Sequence, residues 1–263
     1  MLYKLIFAAS LLGISVLSVG AFYLGEKPVY TKVLPDNRAK LDHAELNVSQ
    51  GIAPALSGRK QRFIQALLPL IKQENDAVLA ERAKLLLMTR KASLAAYDRV
   101  FLARLSEKYR VRDDGLDERQ LVEALLLHVD VLPADLVLAQ AAMESAWGVS
   151  RFASEANNYF GEWCFKKGCG LVPTNRAEDK NHEVRRFASP AESVRAYMKN
   201  TNSHPAYASL RELRHQHKLK NQVVSGEELA YGLKSYSQMG KSYVLAIRSI
   251  IKSNGLNQLT LAI

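Results

Sequence analysis

Gln140-Ala141-Ala142-Met143-Glu144-Ser145-Ala146-Trp147-Gly148, followed shortly by Asn157-Asn158-Tyr159-Phe160-Gly161, is the stretch on which the reading of this 263-residue chain turns. Pro133 suits a first helical turn, because its missing N–H has no partner there anyway, and the run that follows meets no breaker before Gly148. A helix is therefore predicted from Pro133 towards Ser150. On it Glu144 shares a face with Val137, Ala141 and Gly148, which are apolar or small. A carboxyl on such a face is desolvated, and desolvation raises its pKa from about 4.3 toward ~6, where it still holds a proton near neutral pH. Glu144 is thus a candidate general acid. The competing reading, a solvated helix glutamate, is disfavoured by its neighbours and by the Asn-Asn-x-Phe-Gly turn that follows.

At these residues the chain resembles the bacterial peptidoglycan N-acetylglucosaminidases, glycoside hydrolase family seventy-three, and most of all their Bax-like members; the resemblance covers residues 116–255. It implies an α+β, mainly α fold: a lysozyme-like helical domain with a small β-lobe. It also implies cleavage of the β-1,4 bond on the reducing side of N-acetylglucosamine, with Glu144 as the acid and no cofactor.

The second carboxylate that glycoside hydrolysis usually needs is sought in the lobe, which offers Glu162, Glu178, Asp179 and Glu183. Glu183 is the choice, because it begins the strand after the lobe's loop, where the family places its second acid. Two alternatives stay open: Glu183 pairs with Arg185 or Arg186, or the substrate's own N-acetyl group serves as nucleophile. Gln140 and Phe160 from the motifs, together with Asn157, Asn158, Trp163 and Tyr236, are the expected substrate-binding residues. Tyr236 resembles a family tyrosine that faces the acid, but Ser237-Gln238-Met239-Gly240 departs from the family's pattern, so only Tyr236 and Tyr243 carry over.

Around this centre the organisation is read as follows. Leu5–Leu24 is uncharged, mostly apolar and preceded by Lys4; at about 1.5 Å per residue it is roughly as long as a bilayer's hydrocarbon is thick. Residues 1–24 are read as a transmembrane anchor or, with a small-x-small site before Ala21, a signal peptide. Either way the remainder is exported, and a periplasmic location on the inner membrane is expected. Residues 25–58, with three prolines and three glycines, read as a linker whose span, if flexible, is roughly 30 Å. Residues 59–115 read as a helical hairpin in which Pro69 should kink or split the first helix, and residues 116–263 as the glucosaminidase domain.

With 36 Lys+Arg against 26 Asp+Glu the formal charge is +10, so an anionic partner is expected. Export turns that partner from nucleic acid to peptidoglycan strands and lipid headgroups. Asp117 with Gln120, Ser189 with Glu192 and Ser225 with Glu228 read as helix starts, and Lys241–Ser253 as the last helix. Between them, residues 157–188 read as the β-lobe, with Cys164 and Cys169 as a disulfide across a four-residue hairpin loop, since export favours oxidised thiols. A nucleophilic Cys164 lacks a helix N-terminus or other activating context. His215-Gln216-His217 sits in a strongly charged run without a nearby third ligand, so it reads as a solvated basic face and no metal is expected. A lytic transglycosylase and a non-catalytic glycan-binding scaffold remain the alternative functions.

Overall fold

The computed structural model describes residues 56, 58–174, 176, 180–234, 236 and 240–262. The Leu5–Leu24 segment, nearly all of the 25–58 linker, and Glu178 and Asp179 lie outside them. Among the described residues no helix is long and apolar enough to cross a membrane.

The fold is mainly helical with one small sheet. In chain order it comprises α1 (Gly58–Met88), α2 (Ala96–Tyr109), α3 (Glu118–His128), α4 (Ala134–Ser145), α5 (Arg151–Ala156), β1 (Trp163–Cys164), β2 (Gly170–Leu171), β3 (Glu183–Arg185), α6 (Pro190–Ser203), α7 (Ala208–Leu219), α8 (Gly226–Leu229) and α9 (Lys241–Ser253), with 3-10 turns at Pro205–Tyr207, Ala230–Leu233 and Leu256–Ala262. The expected caps are present: the Asp117 carboxylate accepts from the Gln120 N–H, and the Ser189 and Ser225 hydroxyls accept from the N–H groups of Glu192 and Glu228.

Pro69 does not split α1, which runs unbroken through it. Pro69 and Gln65, whose carbonyl loses its helical donor, are both exposed, so water can take the donor's place. The opposite face is pinned by Phe63, Ile64, Leu67, Leu68 and Ile71, all buried.

Those five side chains belong to the same core as α4, α6 and α9. The C-terminal half of α1 joins a second core with α2 and α3, through Val78, Leu85, Leu102, Leu105, Val122 and Leu125. One long helix therefore links both clusters. At the centre of the first lies α4, in which every residue from Ala134 to Ala142 is buried.

The sheet departs from a simple hairpin. Its order is β1-β3-β2, and β3 pairs antiparallel with both neighbours, Cys164 opposite Glu183 and Leu171 opposite Val184. Cys164 and Cys169 form a disulfide with Cα atoms 6.2 Å apart, joining the end of β1 to the residue before β2.

The basic run on α7 is not a wholly solvated face. Arg211 and Arg214 are buried, and Arg214 donates to the carbonyls of Leu127, His128, Asp130 and Val131 and to Asn202 Oδ1. It caps the carbonyls that the end of α3 leaves open, where the helix dipole also favours a cation. Asp130 beside it is reached by Arg82 at 3.5 Å and Lys218 at 2.6 Å; although burial pushes its carboxyl up, Arg214, Arg82 and Lys218 hold it below the usual range.

Candidate active site

The helix carrying Glu144 ends one residue later, earlier than its sequence suggests. Ala146, Trp147 and Gly148 take successive left-handed conformations, with φ of 51°, 60° and 79°. Local bonds hold this turn: Trp147 N–H donates to the Ala142 carbonyl, and Gly148 N–H to Ser145 Oγ at 2.9 Å. Packing against α1 fixes it further. The Trp147 ring lies edge-on to Phe63 at 5.5 Å, and a Cβ on Gly148 would come within 3.1 Å of the Phe63 ring. The Trp-Gly pair of the motif thus shapes the end of α4, and Glu144 falls in its last turn.

Glu144 lines a cleft of about 1030 Å³, together with Phe160, Gly161, Glu162, Trp163 and Arg185 from the lobe, Arg195, Tyr197 and Lys199 from α6, and Tyr207 and Tyr236. Burial raises the Glu144 pKa, while a hydrogen bond donated by Tyr243 to Oε1 at 2.9 Å pulls it part of the way back. Its position at a helix C-terminus also disfavours a negative charge. Gly161, left-handed at φ 68°, lies beside the other oxygen, where a Cβ would make ordinary contact with Glu144 Oε2 at 3.5 Å.

Behind the carboxyl runs a buried chain of donors. Tyr197 donates its hydroxyl proton to Gln140 Oε1, Gln140 Nε2 donates to the Tyr243 hydroxyl, and Tyr243 donates to Glu144. Tyr236 stacks on Tyr243 at 5.1 Å and donates to the Phe160 carbonyl at 2.8 Å; Phe160 in turn stacks on Tyr197 at 4.0 Å.

The expected site residues therefore separate. Glu144, Phe160, Trp163 and Tyr236 meet at the cleft. Trp163 is 59% exposed, with its ring stacked on His182 at 4.1 Å. Gln140 is fully buried behind Glu144. Asn157 and Asn158 are framework rather than lining. Asn157, left-handed at φ 52°, donates to the Phe187 carbonyl. The Asn158 side chain accepts from Glu162 N–H and donates to the carbonyls of Glu162 and Arg185, closing the turn that presents Gly161.

Glu183 does begin β3, but its carboxylate is directed at the cystine loop. It accepts from the N–H groups of Gly168 at 2.9 Å and Gly170 at 2.8 Å, which hold its pKa below the usual carboxylate range. It is not among the residues lining the cleft. Glu162 is, and burial pushes its carboxyl up to about 7 against the pull of Arg185. The sequence reading missed the direct contact of Tyr243 with Glu144 and the places of Tyr197 and Tyr207. Both Tyr197 and Tyr243 sit among apolar positions at helical spacing, Tyr197 beside Val194 and Met198, Tyr243 beside Val244 and Ile247, a pattern that reads as core.

Comparison with known proteins places this arrangement. The family model described as mannosyl-glycoprotein endo-β-N-acetylglucosaminidase, the glucosaminidase domain, matches residues 120–256, which include Glu144 and Tyr243. The chain belongs to the glucosaminidase family. It is accordingly a glycoside hydrolase. This glucosaminidase is 36% identical over 190 residues to Protein bax of Escherichia coli (strain K12), covering 72% of the present chain and 68% of that protein. The catalytic domain of the autolysin Auto from Listeria monocytogenes aligns over 65% of this chain and 92% of its own, at 19% identity and a TM-score of 0.37, too loose a likeness to bear on the fold. Within the glucosaminidase the matched segment begins inside α3, so α1, which packs directly on α4, lies outside it.

Proposed function

We propose that this glucosaminidase hydrolyses β-1,4 bonds of peptidoglycan glycan strands, leaving reducing N-acetylglucosamine ends, with Glu144 as the proton donor. The observation that carries the reading is the Glu144 carboxyl itself: desolvated, facing a cleft, and hydrogen-bonded on one oxygen by Tyr243. Oε2 gives its proton to the glycosidic oxygen as the C1–O bond breaks; water adds to C1 in its place, and the proton that water sheds restores the Glu144 acid. The Tyr243 hydroxyl then stabilises the carboxylate that is left, an interaction stronger in the transition state than before it. Trp163 offers an aromatic face to a pyranose ring. Arg185, Arg195 and Lys199 in the cleft suit a polymer that carries carboxylates. Export and anchoring through Leu5–Leu24 would bring the enzyme to that polymer.

The test is digestion of purified peptidoglycan by the full chain, with new chain ends identified by mass spectrometry. Reducing N-acetylglucosamine ends are expected, and Glu144→Gln should cut turnover by about 10²–10⁴-fold with the fold intact. Anhydromuramic ends alone would make the protein a lytic transglycosylase. Turnover near that of the unaltered protein in Glu144→Gln would remove Glu144 from the reaction.

A further inference from the structure

Glu162 is a second carboxyl in the cleft, and its side chain is held within the protein by no more than a long ion pair. Its backbone is fixed on both sides by Asn158 and by the Arg185 N–H, which donates to its carbonyl at 2.8 Å. The side chain is another matter. Oε1 is shut off from solvent and makes no hydrogen bond within the protein. Oε2 lies 3.9 Å from Arg185 Nη1, too far for a hydrogen bond. Arg185 is divided between partners, reaching Glu192 at 3.8 Å with its other nitrogen. A glutamate kept for an ion pair would be expected to close on its arginine, and a buried polar atom without a partner calls for an explanation.

Oε1 is closed to a ligand as it is to water, so Oε2, the less shielded oxygen of a side chain that is 20% exposed, is the one a molecule in the cleft can meet. Glu162 follows Gly161, the residue packed against the Glu144 carboxyl, and precedes Trp163, the exposed ring of the same cleft. Around it stand the charged and titratable groups of the cleft: Arg110 at the end of α2, Glu144 on α4, Arg185 on β3, Glu192, Arg195, Tyr197 and Lys199 on α6, Tyr236, and Tyr207, whose hydroxyl burial and the Glu162 and Glu144 carboxylates push up to about 12. Burial is what raises this half-buried carboxyl, and among the described residues Arg185 is the cation that opposes it from 3.9 Å; an ionised group would also place charge on the shut-off Oε1, so the neutral acid is the form that fits.

We infer that Glu162 is a specificity-determining residue that donates a hydrogen bond from its carboxylic acid to an acceptor oxygen of the bound glycan, the acetamido carbonyl of an N-acetylated sugar being the acceptor chemistry it suits. The inference rests on the reading of the cleft as a glycan site and adds a named contact to it. An amide oxygen is the strongest neutral acceptor a chitin-like or peptidoglycan strand presents. Burial strengthens the bond and makes loss of the acceptor costly. Ionisation of Glu162 removes the donor and sets a carboxylate against the carbonyl, so binding weakens as the pH rises through about 7.

The experiment measures binding apart from cleavage and with Glu144 no longer titrating. Calorimetry reads the Kd of a soluble, peptide-free oligosaccharide of N-acetylglucosamine and N-acetylmuramic acid against Glu144→Gln, and against that variant combined with Glu162→Gln or Glu162→Ala, at pH 6, 7 and 8. With Glu162 present, Kd should rise roughly fivefold to tenfold from pH 6 to 8, following the fraction protonated at a pKa near 7. Glu162→Gln keeps a neutral donor of the same shape, so Kd should stay near its pH 6 value throughout. Glu162→Ala should give a weaker Kd that is flat with pH. Thermal denaturation of each variant confirms that it is folded. The same pH dependence in Glu162→Gln, an unweakened Glu162→Ala, or a Kd that falls as pH rises, as recognition of a cationic amino sugar would produce, overturns the inference. Cleavage products from the unaltered protein test the proposed hydrolysis separately, so either reading can fail without the other.

Discussion

At Glu144 the proton and the donor chain behind it belong to one design. Burial raises this carboxyl, and the Tyr243 hydroxyl, by bonding to the ionised form, lowers it again in part. Activity that needs Glu144 protonated is lost as pH rises through its pKa. Removing the Tyr243 hydroxyl raises that pKa, so in Tyr243→Phe the alkaline limb of kcat/KM should move to higher pH. At the same time kcat should fall about tenfold or more, because the carboxylate formed on proton transfer loses its donor. Stability should drop by about 1 kcal/mol, the net worth of a buried hydrogen bond. A pH–rate profile of that variant checks all but the last point, and a limb that stays in place would mean that the limb belongs to another group. The two tyrosines carried over from the family resemblance thus divide the work. Tyr243 touches the acid; Tyr236 buttresses it by stacking and by holding the Phe160 carbonyl.

Elements are set in place by polar clamps as much as by the apolar core. The chain enters α4 through residues 129–133, whose carbonyls at Asp130 and Val131 are taken by Arg214 from α7, while Asn75 of α1 bonds both the N–H and the C=O of Leu132. Arg214→Leu should therefore cost about 3–5 kcal/mol, because it strands several carbonyls and leaves Asp130 with less countercharge in a buried place. The exposed Arg119–Glu123 pair at 3.8 Å on α3 is the contrast; Arg119→Ala should change stability by no more than about 0.5 kcal/mol. Urea unfolding of the two variants measures the difference, and equal midpoints would show that the Arg214 network is not a clamp. The basic run on α7 shows why charge in sequence is a poor guide to exposure. Helical spacing places Arg211 and Arg214 three residues apart on one face, and that face meets open carbonyls rather than water, Arg214 at the end of α3 and Arg211 at the end of α6.

For the molecule as a whole, α1 decides where the functional unit begins. Phe63, Ile64, Leu67, Leu68 and Ile71 are buried in the core that holds α4. At roughly 1.5–3 kcal/mol each they contribute about 7–15 kcal/mol, as much as the net stability of a typical domain. A chain starting at Leu116, although it contains the whole family match, should fail to fold. One starting at Gly25 should be soluble and cleave peptidoglycan, and the full chain should stay with membranes through a high-salt wash. Far-UV circular dichroism and fractionation check these outcomes; a folded, active chain from Leu116 would show that α1 is dispensable. What the sequence determined by itself is local: the caps at Asp117, Ser189 and Ser225, the extent of α9, and the motif that puts a carboxyl among small residues on a helix. These follow from neighbours three or four positions apart, whose meeting is fixed by the 3.6-residue period. Tertiary structure alone decided that Tyr243, 99 residues from Glu144, supplies its hydrogen bond. It also decided that Glu162 lines the cleft while Glu183 braces the cystine loop, and that Asn157 and Asn158 hold backbone. Such choices depend on how α4 and α9 pack and on which way a side chain leaves a short strand, and no spacing along the chain encodes them.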